Sequence, residues 1–206
     1  MTRIPLRDLK EALSNPAKYA RSFQPGRDNG YPRPSKYGML LFAIGEFHKT
    51  NDLQKAQHYL ETLIIKNFKH VNDLSKYVLW LQLYAREFRT LGNNCFKVRN
   101  NIAIPLPSKF SEMTVSGQAA RIDLEPSGGY AVWVFVRNAP DWKEDPRMPL
   151  LQLAYSRKLG VGIDNVSVGT FDFVLGKHAS TQYSMIRINR VQRALWKLIL
   201  SIQRKK

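Results

Sequence analysis

Apolar residues recur at three- and four-residue steps from residue 73 to 91, where Leu74, Tyr77, Val78, Leu81, Tyr84, Ala85, Phe88 and Leu91 fall on one face. That spacing predicts an amphipathic helix with its stripe turned into a core. Asn72 or Asp73 can cap its start and Gly92 can end it. A shorter helix is expected over residues 5–20, interrupted at Asn15-Pro16 because proline disfavours helix in the residue before it. Ala17–Arg21 forms its second piece. Helices are also expected over 39–49 and 53–68. Between them, residues 24–38 read as loop, through Gln24-Pro25-Gly26 and Tyr31-Pro32-Arg33-Pro34.

After Gly92 the pattern changes. Residues 95–104, 113–124 and 129–137 are rich in Val, Ile, Phe, Tyr and Trp, with Glu125-Pro126-Ser127-Gly128-Gly129 as a turn between the last two. Tyr130–Val136 is almost wholly apolar, which predicts a strand buried on both faces. A polar loop over 141–147 leads into a helix over 148–159. Strands are expected over 165–175 and 182–188. A closing helix over 189–204 carries the stripe Ile188, Val191, Leu195, Leu198, Ile199 and Ile202. The chain therefore reads as one α/β domain over residues 1–206, mainly helical to 92 and a sheet core from 93, ending in a basic helix.

Charge adds the first functional signal. The 206 residues hold 32 Lys and Arg against 16 Asp and Glu, a formal net charge of +16. A field of that sign attracts polyanions, and nucleic acid is the expected partner because phosphate neutralisation releases counterions. An acidic protein and an anionic membrane surface are the rival partners. After Asp172 there is no acid and there are eight Lys or Arg. The candidate phosphate contacts are Arg187, Arg190, Arg193, Lys197 and Arg204, together with Arg27, Arg33 and Lys36 of the 24–38 loop, and Arg137 and Lys143. Trp142, next to Lys143, is the tryptophan expected to be exposed, where it could stack on a base or anchor a protein interface.

Other chemistry is thin. The single Cys95 excludes an internal disulfide and a multi-cysteine zinc site within these residues, and fits a reducing compartment, cytoplasmic or nucleoid-associated. His48, His58, His70 and His178 lack zinc-ligand spacing. No phosphate-binding loop and no nucleophile elbow occur. No apolar run is long enough to span a membrane, and the opening Met1-Thr2-Arg3-Ile4-Pro5 lacks the apolar region of a secretory signal.

Four segments carry a family resemblance. They are Ile4–Lys10 running into Asn15-Pro16-Ala17-Lys18-Tyr19, Gly45-Glu46-Phe47-His48, Ala120-Arg121-Ile122-Asp123-Leu124, and Met148–Tyr155. In this order they resemble the RecB-like branch of the PD-(D/E)XK nuclease superfamily, which includes recombination and CRISPR-associated exonucleases. The resemblance implies a restriction-endonuclease-like core, a central mixed sheet flanked by helices, with a helical N-terminal half. It also implies a site in which His48 and Asp123 help hold Mg²⁺ or Mn²⁺.

The same comparison shows where the chain departs from the family. The family's second carboxylate and its lysine two residues on fall on Val134 and Val136, and no Asp, Glu or Lys occurs from Gly128 to Asn138. Two valines bind no hard cation. The Gln152–Tyr155 spacing is one residue short of the family's Gln-x-x-x-Tyr, and His48 stands one residue closer to its glycine. The expectation is a pseudonuclease: a non-catalytic nucleic-acid-binding subunit of a larger DNA- or RNA-processing or defence complex, with DNA ahead of RNA and no cofactor. Two alternatives stand beside it. One is an active metal-dependent nuclease with a rearranged site of His48, Asp123 and Glu125, with Arg137 replacing the lysine charge. The other is a structural protein docking an acidic partner.

Overall fold

The computed structural model describes residues 2–23, 35–104, 106–110 and 113–204. Among them the chain forms strand β1 (Thr2–Pro5), helices α1 (Leu9–Ser14), α2 (Pro16–Ser22), α3 (Lys36–Thr50), α4 (Leu53–Asn67) and α5 (Leu74–Leu91), strands β2 (Asn94–Ile104), β3 (Met113–Leu124) and β4 (Tyr130–Val136), helix α6 (Arg147–Leu159), strands β5 (Val166–Asp172) and β6 (Lys177–Thr181), and helix α7 (Met185–Gln203).

Local chemistry sets most boundaries. Asn15 ends α1 and its side chain accepts from the Lys18 amide at 3.1 Å, with Pro16 at the first position of α2. Ser35 caps α3 through the Gly38 amide at 3.0 Å, so that helix starts at Lys36 rather than at 39. Gly92 closes α5 at φ 66°, as expected. Asp73 stands at the N-cap of α5 without a side-chain cap bond.

The sheet is mixed, and β3 is its hub. β2 runs antiparallel along one side of it, from Asn94 opposite Leu124 to Ile104 opposite Val115. The other side of β3 is shared: β1 pairs parallel with residues 113–116 and β4 pairs antiparallel with 121–124. Beyond β4 come β5, parallel to it, and β6, antiparallel to β5. Every residue of β5 is buried, as a strand covered on both faces requires.

Helices cover both faces. On one, α1, α2, α6 and α7 pack Leu9, Ala12, Leu151, Tyr155, Leu195 and Leu198 against Ile122, Val132 and Val168. On the other, α3, α4 and α5 pack Leu40, Phe47, Leu60, Leu81 and Tyr84 against Ala131, Trp133, Phe135 and Phe171. The chain is thus an α/β fold, a mixed sheet between two helical layers.

Two expectations are corrected. The helical N-terminal half begins with a sheet strand: Ile4 is fully buried beside Val115, a contribution too short and too close to Pro5 to show as a strand pattern. Residues 182–188 are not a strand. Lys177–Thr181 pairs with β5 instead, and Ser184 caps a helix that starts at Met185. A strand would place Ile186 and Ile188 on one face; here Ile186 is 75% exposed and Ile188 fully buried.

A buried polar cluster and a candidate nucleic-acid interface

The sheet face beneath α3 and α5 encloses a cluster of polar groups. Arg121 and Asp123 are both fully buried, and Arg121 Nε lies 2.7 Å from Asp123 Oδ1. Those two atoms meet off the hydrogen-bond direction, so their contact is one of charge. Asp123 Oδ2 accepts from Trp133 Nε1 at 2.7 Å and from Asn93 Nδ2 at 3.3 Å. The guanidinium also donates to the Tyr84 hydroxyl, contacts His178 Nε2 at 3.1 Å, and lies against the rings of Tyr84, Phe88 and Trp133. His48 Nε2 and the Tyr84 hydroxyl are 2.6 Å apart.

Burial sets the protonation of this cluster. It pushes both His48 and His178 down to about 3, and the positive charge of Arg121 adds to the effect. Burial also raises the Asp123 carboxyl, against the opposing pull of Arg121, Asn93 and Trp133. Cys95, half-buried close by, has its thiol pushed up to about 11, first by burial and then by Asp123.

The three residues of the rearranged metal site are each engaged elsewhere. The position a cation would take beside Asp123 is held by the Arg121 guanidinium, and His48 is committed to Tyr84 and packed edge-on against Phe88. Glu125 lies in the β3–β4 turn and accepts from Ser167 Oγ at 3.1 Å. Among the described residues no three His, Cys, Asp or Glu side chains come together. The donor set does not fit Mg²⁺ or Mn²⁺. Nor do the two valines complete a site with Asp123. Asp123 pairs with Ala131, whose face of β4 carries Trp133 and Phe135 into the α3–α5 core. Val132 and Val134 face the α6–α7 core. Strand alternation puts Val134 and Val136 on the opposite side of the sheet from Asp123.

The Gln152–Tyr155 pair, buried in α6, stitches the fold. The Gln152 amide donates to the Ile163 and Tyr183 carbonyls and its oxygen accepts from the Tyr183 amide, while the Tyr155 hydroxyl donates to the Asn100 carbonyl at 2.8 Å.

The candidate basic contacts separate into groups. Arg27 and Arg33 lie outside the described residues. Lys36 is tied to Asp73, its side chain mostly buried. Arg137 lies over the Tyr37 ring at 5.2 Å. Arg187 pairs with Glu144 at 2.6 Å. Lys143 is exposed, its ammonium 5.8 Å from the Trp142 ring centre. Trp142 itself is half-buried against the core rather than exposed. Arg190, Arg193 and Lys197 on α7 and Arg204 at its C-cap are all exposed, at steps of three, four and seven residues, and none forms an ion pair among the described residues. Arg190, Arg193 and Lys197 line one open concavity with Ile186 and Asn189.

Several important groups gave no signal in the sequence. Arg121 was visible only as part of a strand motif, and nothing marked its burial. Asp172 accepts from the backbone amides of Asn138, Ala139, Val174 and Leu175. Burial pushes its carboxyl up, but the four amides outweigh that and hold it below the usual carboxylate range. It thereby ties the chain leaving β4 to the chain leaving β5. An acid ending an apolar strand ahead of a glycine turn is the one sequence hint of such a role.

No helix among the described residues is long and apolar enough to cross a membrane. No protein-family model matches the chain, and no curated protein matches it. Among solved structures, the crystal structure of SSO0001 matches 92% of this chain and 84% of its own at 9% identity, with a TM-score of 0.30. A likeness at that level supports no inference about this chain.

Proposed function

We propose that this protein binds nucleic acid without cleaving it, and that the exposed face of α7 is the contact surface. The observation that carries the reading is the stripe of Arg190, Arg193, Lys197 and Arg204: three exposed cations on α7 and a fourth at its C-cap, in a segment with no acid after Asp172. A solvated helix face ordinarily mixes both signs. A single-sign stripe on a chain of net charge +16 fits phosphate contact, with affinity coming from counterion release. Support for the non-cleaving part of the reading comes from Asp123, whose carboxylate is paired with the Arg121 guanidinium.

The test uses labelled single- and double-stranded DNA and RNA, with Mn²⁺ and with EDTA. The expected result is retarded, uncut substrate in both conditions, with affinity falling steeply with salt. Cleavage only with Mn²⁺ refutes the non-catalytic part. Weak, salt-insensitive binding to every oligonucleotide refutes the whole reading and leaves an acidic protein as the partner of the stripe.

A further inference from the structure

We propose that a crevice at the end of β4 is a pocket for one unpaired nucleobase of a strand held on α7, a reading that rests on the nucleic-acid function above. A cavity of about 300 Å³ lies between α1 and the β4–α6 connection, lined by Lys10 on one side and by Asn138, Asp141 and Trp142 on the other. It lies beyond the carboxyl ends of the parallel strands β4 and β5, the place where open α/β sheets hold ligands. Its volume is at the lower end of the range for small-ligand sites.

The lining suits a flat, neutral ring. Val134 and Val136 form the floor. They belong to an interior strand yet are only half-buried, while Val132, further back on the same face, is fully buried. Trp142 lines the same cavity. Half-buried valines beside a tryptophan supply the apolar and aromatic contacts on which bases stack irrespective of sequence. On the rim, the Asn138 backbone is fixed at φ 56° with its amide on Asp172 Oδ1, leaving the side-chain amide to offer both a donor and an acceptor.

Charge argues against a phosphate in the cavity itself. Lys10 and Arg147 are balanced there by Asp141 and Asp145, and Arg147 is already forked onto Asp145. The cations stand outside. Glu144 of the same connection is tied to α7 through Arg187 at 2.6 Å, the Tyr183 hydroxyl just ahead of α7 donates to the Lys143 carbonyl at 2.8 Å, and Arg190 follows Arg187 by three residues. The proposed strand runs along the α7 stripe and reaches the crevice by way of the Arg187–Glu144 link.

The experiment compares binding of a single-stranded DNA oligonucleotide with an abasic strand of the same length and charge, for wild type, Val134→Phe and Trp142→Ala. Filling the floor or removing the indole leaves the α7 stripe untouched. Wild type is expected to prefer the base-bearing strand by about tenfold, and both variants to lose that preference while binding the abasic strand as wild type does. If Val134→Phe has melted at the assay temperature, Trp142→Ala decides alone. A preference retained in the folded variants, or missing from wild type, overturns the pocket and leaves the α7 reading standing. A wild-type chain that holds neither strand overturns both.

Discussion

Arg121 and Asp123, two residues apart on β3, form an ion pair from which water is excluded, with Nε 2.7 Å from Oδ1 and both side chains fully buried. The pair sits where the helical layer of α3 and α5 meets the sheet, and Tyr84, Trp133, Asn93 and His178 satisfy most of its remaining polar atoms. Breaking such a pair from one side strands a charge in a medium that cannot solvate it, at a cost of about 3–5 kcal/mol. Arg121→Met is expected to lose stability on that scale in urea unfolding. Arg121→Met combined with Asp123→Asn removes both charges and is expected to lose less than the single variant. A double variant at least as damaged as the sum of the two singles contradicts the ion-pair account.

Acid should unfold this protein through its histidines. His48 and His178 accept a proton near pH 6.5 in the unfolded chain but only near pH 3 in the fold. Between those values the unfolded state binds more protons, so stability is complete above about pH 6.5 and falls as the pH drops toward 3. The slope is at most about 1.4 kcal/mol per pH unit for each histidine. Asp123, shifted upward, acts in the opposite sense above its ordinary 3.8 and offsets part of the loss at the acid end. Urea midpoints measured from pH 7 to pH 4.5 should decline, and should decline less in His48→Gln/His178→Gln. A midpoint flat across that range rules the linkage out.

Gly169 makes room for the group that orients Asp123. Trp133 lies opposite it in the register of β4 and β5, and a Cβ at position 169 would come within 2.7 Å of the indole and 2.4 Å of the Ala179 carbonyl oxygen. One obstacle is backbone and the other a buried ring, so neither yields cheaply. Gly169→Ala is expected to cost about 1–3 kcal/mol, and to alter the near-ultraviolet circular dichroism as Trp133 shifts. Wild-type stability and spectrum in this variant would contradict the packing described.

The basic residues should differ in how they act on binding. Arg190→Gln, Arg193→Gln and Lys197→Gln, all exposed, are each expected to reduce the slope of log K against log salt by about 0.9 on duplex DNA, or about 0.7 on a single strand. Stability should change by no more than about 0.5 kcal/mol. Lys36→Gln should leave the slope alone, because that ammonium is held by Asp73. A slope lost on Lys36→Gln but kept on the α7 variants would move the interface to the other side of the molecule.

Much of the fold was legible because it rests on local rules. The helix over residues 73–91, the strand pair around Glu125–Gly129 and the amphipathic last helix all follow from apolar periodicity and turn chemistry acting within a few residues. The +16 charge and the acid-free last segment were likewise visible, since charge is a property of composition. Where local signals competed, boundaries slipped. Tyr183–Ile188 alternates like a strand, yet the Ser184 cap and the burial of Ile188 against a distant core select helix.

The sequence by itself determined an α/β chain with a basic terminal helix, because periodicity and charge are carried by residues close together in the chain. Only the tertiary structure decided what Asp123 does. In the sequence it is an acid on a strand, compatible with holding a metal. In the fold, Arg121 from the same strand, Tyr84 from a helix 37 residues earlier and Trp133 from the next strand converge on it or on its partner. Whether a carboxylate is a ligand or a counterion depends on which charge stands beside it and on which sheet face it occupies. Both are fixed by contacts between segments distant in sequence, which no local pattern records.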